Sequence, residues 1–482
     1  MVINSKTIPV KIDRPNVVWR RENINSEKKL CGFSFMTRRT LTFDDEGEFA
    51  IGLCDGKASI GNITDKAKEK FGKEFTDEKM TDFFTEMVKR GLTTIKNPSP
   101  GDPKPEKVDQ SVDEMFGVVT PKTPEGALSA PAQMYMMLTL RCNGRCVYCF
   151  ANAGREHKKV ELPELGFEGW KKIIDDAKEA GTLVAVVTGG EPFMHKDAMR
   201  IIEYLAESKF IIDITTNGVL VTDEMAKKLA ELSKLTYLSV QVSLDSYKKE
   251  LHDRLRPGCD FDKVVNAIKL LSSNGVMVKV GSVLSRLTKD LDHLEKTAKF
   301  AHSLGASLYR VMGLRVIGRG TELDELALDM DESMEIFDKI KELREKHPFI
   351  SGEGKLPVYM REGVEKKPAG EQPEKRSWSC SACTSGITIA PDGSHLACAY
   401  FSDYDEFWGE NIAEKGLESV WDNSELCKRF RNIKMDGYCA ECDYAYTCSG
   451  GCPADRYMLS GSIGKPDPRC GYLQMQTGQK EN

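Results

Sequence analysis

Hydrophobic and polar positions alternate with two different periods along the chain. Between residues 33 and 53 apolar residues recur at every second position, Phe33 and Phe35, then Leu41 and Phe43 either side of a polar break, which predicts short strands around a turn. The next two segments switch to helical spacing. One runs from Ile60 to Phe71; the other opens at the cap residues Thr76 and Asp77, carries Met80, Phe83, Phe84 and Met87, and stops at Gly91. Leu92 to Ile95 return as a strand. Strands, helices and a closing strand in this order predict a small winged-helix-like domain at residues 30–96, preceded by an N-terminal extension at 1–29.

From residue 97 to 132 Pro, Gly, Lys and Glu dominate, as expected of a linker. Beyond Gln133 six apolar runs alternate with six helical patterns. MYMMLTL precedes a helix at 167–180, LVAVVTG one at 196–207, and FIIDITTNG one at 223–233. YLSVQVSLDS, VMVKVGSVLS and SLYRVMGLRV precede helices at 261–274, 290–304 and 332–346. Strand-like runs separated by helices predict parallel strands with helical crossovers, a β/α barrel or open sheet over 133–346. A second linker is expected at 347–379, and the tail at 380–482 has few long periodic segments.

Composition narrows the possible functions. At 482 residues the chain exceeds the usual size of one domain, and with 40% hydrophobic residues it excludes wholesale disorder. The formal charge of −6, from 68 basic and 74 acidic residues, gives no general attraction to nucleic acid or anionic membrane. No apolar run approaches the roughly 18 residues of a membrane span, and the N-terminus lacks the apolar core of a secretion signal. A cytoplasmic location is expected. In that reducing compartment the 15 cysteines point to metal ligation or catalysis rather than disulfides. Nine of them fall between residues 380 and 470, and Cys142, Cys146 and Cys149 form a separate group.

The spacing CxxxCxxC of Cys142, Cys146 and Cys149 lies on the loop leaving the first barrel strand. Three thiolates so close can ligate three irons of a four-iron cluster and leave the fourth iron open; a partial zinc site or incidental cysteines are the plainer alternatives. The residues that end the later strands resemble sets used by the radical S-adenosylmethionine (SAM) superfamily. Gly189, Gly190, Glu191 and Pro192 resemble its GGEP motif, and the resemblance implies that this backbone and carboxylate face the methionine ammonium. Thr216, Asn217 and Gly218 end the third strand. Ser243 and Asp245 resemble the ribose-contacting positions. His252, Asp253 and Arg256 resemble HDxxR, whose arginine would hold the methionine carboxylate. Gly318 would let backbone approach the adenine, with Tyr148 beside that base. The resemblance implies a partial (β/α)6 barrel in which SAM binds the open iron and is cleaved to methionine and a 5′-deoxyadenosyl radical that abstracts hydrogen from an unactivated C–H bond.

The tail resembles the SPASM extension of peptide-modifying members of that superfamily. Cys383, Gly393, Cys398, Cys439, Cys442, Cys448, Cys452 and Cys470 carry its spacing, and Cys380 supplies an eighth thiol. The interleaved ligation this implies assigns Cys380, Cys383, Cys398 and Cys452 to a first auxiliary cluster and Cys439, Cys442, Cys448 and Cys470 to a second, for three [4Fe–4S] clusters in all. The Cys380 to Cys383 spacing is shorter than in some relatives, which leaves an open iron in the first auxiliary cluster as an alternative. A pair of zinc ribbons is the other alternative. Cys31, Cys54, Cys259 and Cys427 are left over and read as buried small residues. Where sulfatase-maturing enzymes carry an aspartate immediately after the cysteine that here is Cys398, this chain has Ala399, which disfavours their serine or cysteine oxidation.

Residues 30–96 resemble a PqqD-like element, the winged-helix domain that binds leader peptides of ribosomally made precursors. The helix expected at 77–90 carries Asp77, Glu78, Asp82 and Glu86 against Lys79, Lys89 and Arg90, which is unsuited to a DNA backbone. A vestigial or oligomerising domain is the other reading. The expected whole is an α/β protein that installs a thioether or other side-chain crosslink in a precursor peptide, with a flavodoxin- or ferredoxin-type reductant and neither nucleic acid nor membrane as partner. The catalytic base is not identified. Tailoring of a small molecule or tetrapyrrole, and a non-catalytic iron–sulfur leader-binding protein, are the alternatives.

Overall fold

Ser59, Thr76, Thr222, Asp260 and Asp290 each accept a hydrogen bond from the backbone N–H three residues on, and each opens a helix at the start of an apolar-periodic segment. In the computed structural model these helices belong to two units, Met1–Ser129 and Ala130–Asn482. The structure describes residues 3–12, 17–24, 27–34, 39–72, 75–96, 127–154, 157–323, 325–353 and 380–470.

The first unit has strands β1 (Pro9–Lys11), β2 (Val17–Ile24), β3 (Glu27–Ser34), β4 (Arg39–Thr42) and β5 (Thr93–Ile95), and helices α1 (Asp45–Gly52), α2 (Ile60–Phe71) and α3 (Asp77–Lys89). β2, β3 and β4 form an antiparallel sheet in that order, with β4 at its edge, and β1 pairs with β5. Two expectations are corrected here. Residues 45–52 are a helix, not a strand, because the Asp44 side chain caps the Gly47 N–H and three acids fill the first turn. Residues 9–11 and 17–24, expected in an extension, are strands of this unit; the pairing of β1 with β5 joins residues more than 80 positions apart, which no local pattern announces. Of the linker expected at 97–132, residues 97–126 lie outside the described residues.

In the second unit the six expected runs form parallel strands β6 (Gln133–Met137), β7 (Val184–Thr188), β8 (Ile211–Thr216), β9 (Leu238–Ser243), β10 (Met277–Leu284) and β11 (Leu308–Gly313). Their crossovers are α4 (Phe167–Glu179), α5 (Ala198–Glu207), α6 (Asp223–Leu232), α7 (Lys249–Leu255), α8 (Phe261–Ser273), α9 (Leu291–Ser303) and α10 (Met330–Lys346). One face of the sheet is aliphatic: Ile212, Ile214, Val240, Val242, Val278 and Val280 are buried against the helices. The intervening positions are polar, and Lys279 Nζ lies 3.1 Å from Asp213 Oδ1, which also accepts from the Ser239 hydroxyl at 2.7 Å.

The tertiary structure extends this sheet at both ends. β12 (Ile350–Glu353), in the stretch expected as linker, pairs in parallel with β11; residues 354–379 lie outside the described residues. On the other edge β13 (Gly386–Ile389) pairs in parallel with β6 and is followed by antiparallel β14 (Ser394–Leu396) and β15 (Trp408–Asn411). Beyond lie short helices α11 (Ile412–Lys415), α12 (Leu417–Asn423), α13 (Glu425–Arg431), α14 (Tyr438–Glu441), α15 (Ala445–Cys448) and α16 (Pro453–Ser460). The tail therefore has more core than its sequence pattern suggests. Val420 and Trp421 join the barrel core, while Phe401, Phe407 and Phe430 build a second one beside the cysteines. Among the described residues no helix is long and apolar enough to cross a membrane.

Candidate active site

Parallel strands point their carboxyl ends the same way, so loops far apart in sequence meet at one edge of the sheet. The loop after β6 carries Cys142, Cys146 and Cys149, all half-buried. The Gly144 N–H donates to Cys142 Sγ at 3.3 Å, and the Arg256 guanidinium donates to Cys146 Sγ at 3.6 Å. The turn after β7 is lashed to this loop, Gly190 N–H to Thr139 O at 2.7 Å and Glu191 N–H to Arg141 O at 2.9 Å. Side chains at 189 or 190 would run into the backbone of Thr139 and Arg141, and Gly189 has φ +138°. Close approach of two backbones is what the glycine pair provides.

Glu191 is fully buried, and accepts from the Asn217 N–H at 2.8 Å, the Thr216 hydroxyl at 2.7 Å and the Phe193 N–H at 3.2 Å. Burial pushes its carboxyl up to about 7, against the pull of those donors. Asn217 also donates to Asn143 Oδ1 at 2.8 Å and lies 3.9 Å from Cys142 Sγ. Asp245 receives the Arg256 guanidinium as a fork, at 2.8 and 3.1 Å, together with the Tyr148 hydroxyl and the Val283 N–H. Thus the residues expected at the two ends of the nucleoside are bonded to each other. Ser243 ends β9 half-buried, in register with Gly281. His252 is bonded through Nε2 to the Cys259 carbonyl at 2.9 Å, and Asp253 accepts from the Phe261 N–H at 3.0 Å, so both hold the loop that presents Arg256. Gly318 lies against the carbonyls of Cys149 and Phe150.

Two residues here had no signal in the sequence. Arg319 ties the loop after β11 to the cysteine loop, donating to Cys146 O at 2.9 Å and Ala153 O at 3.0 Å. Cys259 is buried beside Cys146 and shares a hydrogen bond with it, which together with Arg256 draws the Cys146 thiol below its ordinary range. Burial pushes Cys142 up to about 12 and also raises Cys149.

The remaining cysteines fall into two neighbourhoods. Cys398 feels Cys380 and Cys452 as its nearest thiols, and Cys383 lies beside Cys380. Cys442, Cys448 and Cys470 pack around Tyr438 and Tyr444, and Cys439, which feels the charge of all three, packs against the Phe401, Phe407 and Phe430 core with Cys380, Cys398 and Cys452. Cys427, read as a spare buried residue, shares a hydrogen bond with Cys383 and sits 3.8 Å from His395 Nε2. Among the described residues no three Cys, His, Asp or Glu side chains are placed to hold a single metal ion. The cysteines do suit iron–sulfur clusters: binding to iron removes the proton that burial makes difficult to lose, and N–H donors already face the sulfurs of Cys142 and Cys146.

A parallel β/α sheet with a three-cysteine loop at its carboxyl edge, and an appended domain with two further cysteine groups, defines an iron–sulfur enzyme scaffold. The sequence matches the model of the radical SAM superfamily at residues 136–301 and the SPASM iron-sulfur cluster-binding domain at 380–443. It is 30% identical over 349 residues to the mycofactocin maturase MftC of Mycolicibacterium smegmatis, spanning 72% of this chain and 84% of that one. It is 27% identical to the AdoMet-dependent heme synthase of Methanosarcina barkeri, over 71% of this chain and 97% of that one. The fold resembles that of Streptococcus suis SuiB bound to its precursor peptide SuiA, with a TM-score of 0.70, 18% identity, and coverage of 96% and 99% of the two chains. The chain belongs to the radical SAM superfamily and carries a SPASM domain. It is a radical SAM enzyme whose cofactors are iron–sulfur clusters and SAM.

Proposed function

We propose that this enzyme installs a crosslink, a thioether by preference, in a ribosomally synthesised precursor peptide. The observation that carries the reading is the convergence of Cys142, Cys146 and Cys149 with Glu191, Asp245 and Arg256 at one edge of the sheet, in a chain 30% identical to a maturase. Cys142, Cys146 and Cys149 would hold the cluster beside SAM, and together these groups would supply 5′-deoxyadenosyl radical chemistry for taking a hydrogen atom from the peptide. Glu191, ionised on meeting an ammonium, and the backbone at Gly189 and Gly190 would hold the methionine amino group, and Arg256 would hold its carboxylate. Ser243 and Asp245 take the ribose, Thr216 and Asn217 fix Glu191, and Tyr148 and Gly318 flank the adenine. Cys380, Cys383, Cys398 and Cys452, and Cys439, Cys442, Cys448 and Cys470, hold two auxiliary clusters. Such clusters would supply an acceptor for the electron released on bond formation, and a flavodoxin- or ferredoxin-type protein would be the external reductant.

The first unit is the PqqD-like leader-binding element. Its edge strand β4 can accept an extended peptide as a further strand, and between β4, α1 and α3 lies a groove of about 290 Å³ lined by Leu41, Phe43, Glu46, Lys79, Met80 and Phe83. Tethering a leader there raises the local concentration of the core peptide at the barrel.

Anaerobically reconstituted protein with dithionite should convert SAM to 5′-deoxyadenosine, and Cys142→Ala should abolish this; retained cleavage in that variant would overturn the role of the triplet. The similarity to the heme synthase favours tetrapyrrole tailoring as the second reading. The two separate on whether the protein binds and modifies a short precursor encoded beside its gene, or turns over a tetrapyrrole instead.

A further inference from the structure

Arg456 is fully buried, one helical turn after Cys452, whose carbonyl accepts the Arg456 N–H at 3.1 Å. Among the described residues its Nε and Nη2 have no hydrogen-bond partner, and Nη1 meets only the thioether of Met435, at 2.8 Å. The neighbouring carboxylate is already taken, because Asp455 pairs with Arg315 and Arg469. A guanidinium does not shed its proton, so this is a permanent buried charge that needs an anion. The groups whose charge it feels are the thiols of Cys439, Cys452, Cys448 and Cys380, two from each auxiliary set. The backbone makes room for it: Gly450, between Cys448 and Cys452, has φ +74°, and a Cβ there would come within 2.6 Å of Arg456 Nη1.

We propose that Arg456 is the shared counter-ion of the two auxiliary clusters, a fixed positive charge between their ligands that raises both reduction potentials. The inference rests on the reading that these eight cysteines hold two clusters. Four thiolates outweigh the charge of a four-iron core, so each cluster is anionic and becomes more so when reduced. A cation held in a low-dielectric interior therefore favours the reduced form, and N–H donors on cluster sulfur act in the same direction. Arg456 is a positioning residue, touching neither substrate nor SAM.

The test is a potentiometric titration of the reconstituted holoenzyme followed by electron paramagnetic resonance, comparing wild type with Arg456→Met and Arg456→Lys. Iron and sulfide content of the wild type is measured first; too little for three clusters overturns the two-cluster reading itself, independently of Arg456. With full content, Arg456→Met should move the auxiliary midpoints negative by at least a tenfold change in the reduction equilibrium, about 59 mV for one electron, while the SAM-site cluster stays in place. Arg456→Lys should recover most of the shift. Loss of the auxiliary clusters in Arg456→Met but not in Arg456→Lys also supports the proposal. Unchanged auxiliary midpoints in Arg456→Met, or equal loss of clusters in both variants, overturns it in favour of a packing role.

Discussion

Arg256 holds Asp245 through two parallel hydrogen bonds, Nε to Oδ2 at 2.8 Å and Nη2 to Oδ1 at 3.1 Å, with both side chains almost wholly buried. Its third nitrogen faces Cys146 Sγ. One guanidinium thus orients the carboxylate at the end of β9 and a thiol of the β6 loop. Removing one member of such a pair leaves a buried charge alone, at about 3–5 kcal/mol. Asp245→Asn should lower unfolding stability by about that amount in a urea titration. The double variant Asp245→Leu, Arg256→Met should recover most of the loss while SAM binding stays absent, which separates the fold from the site.

Glu191 links stability to pH. Its carboxyl stands at about 7 in the fold against an ordinary value of 4.5, so between those values the folded state binds the extra proton. This contribution is fully present below 4.5 and is lost as pH rises through about 7. Its full size is roughly 3 kcal/mol. Cluster-free protein should therefore lose stability over this window, and Glu191→Gln should flatten the slope. SAM affinity of the reconstituted enzyme should run the other way, strengthening with pH, because an ammonium selects the ionised carboxylate.

Cys259 and Cys427 sit against Cys146 and Cys383 without belonging to either cysteine pattern. Cys259→Ala and Cys427→Ala should keep the full iron and sulfide content. Cys142→Ala and Cys439→Ala should each lose one cluster's share. Iron loss in the first pair would make those thiols ligands.

Phe83 lines the groove between β4, α1 and α3. Phe83→Ala should weaken leader-peptide binding about tenfold, near 1.4 kcal/mol, by fluorescence anisotropy. Cleavage of SAM without peptide should be unchanged.

The order of residues along the chain by itself determines whatever lies close within it. Three cysteines on one loop, the GGEP turn after the next strand and the close-set cysteines of the tail are visible because their neighbours in sequence carry the chemistry. Six β/α units are visible because each strand-like run carries apolar residues for the helix-covered face of the sheet and each is followed by a segment of helical period, and the expected helices began and ended within two residues of their expected bounds. Tertiary structure alone decides which distant residues share an environment. β12 and β13 extend the sheet because an open edge takes a strand wherever the chain returns. Residues 45–52 became helix because one cap outweighed an alternating pattern. Arg456, one charged residue on a short helix, carries no mark in the sequence. Only a fold that encloses it between two groups of thiols turns an ordinary arginine into a charge in need of an anion.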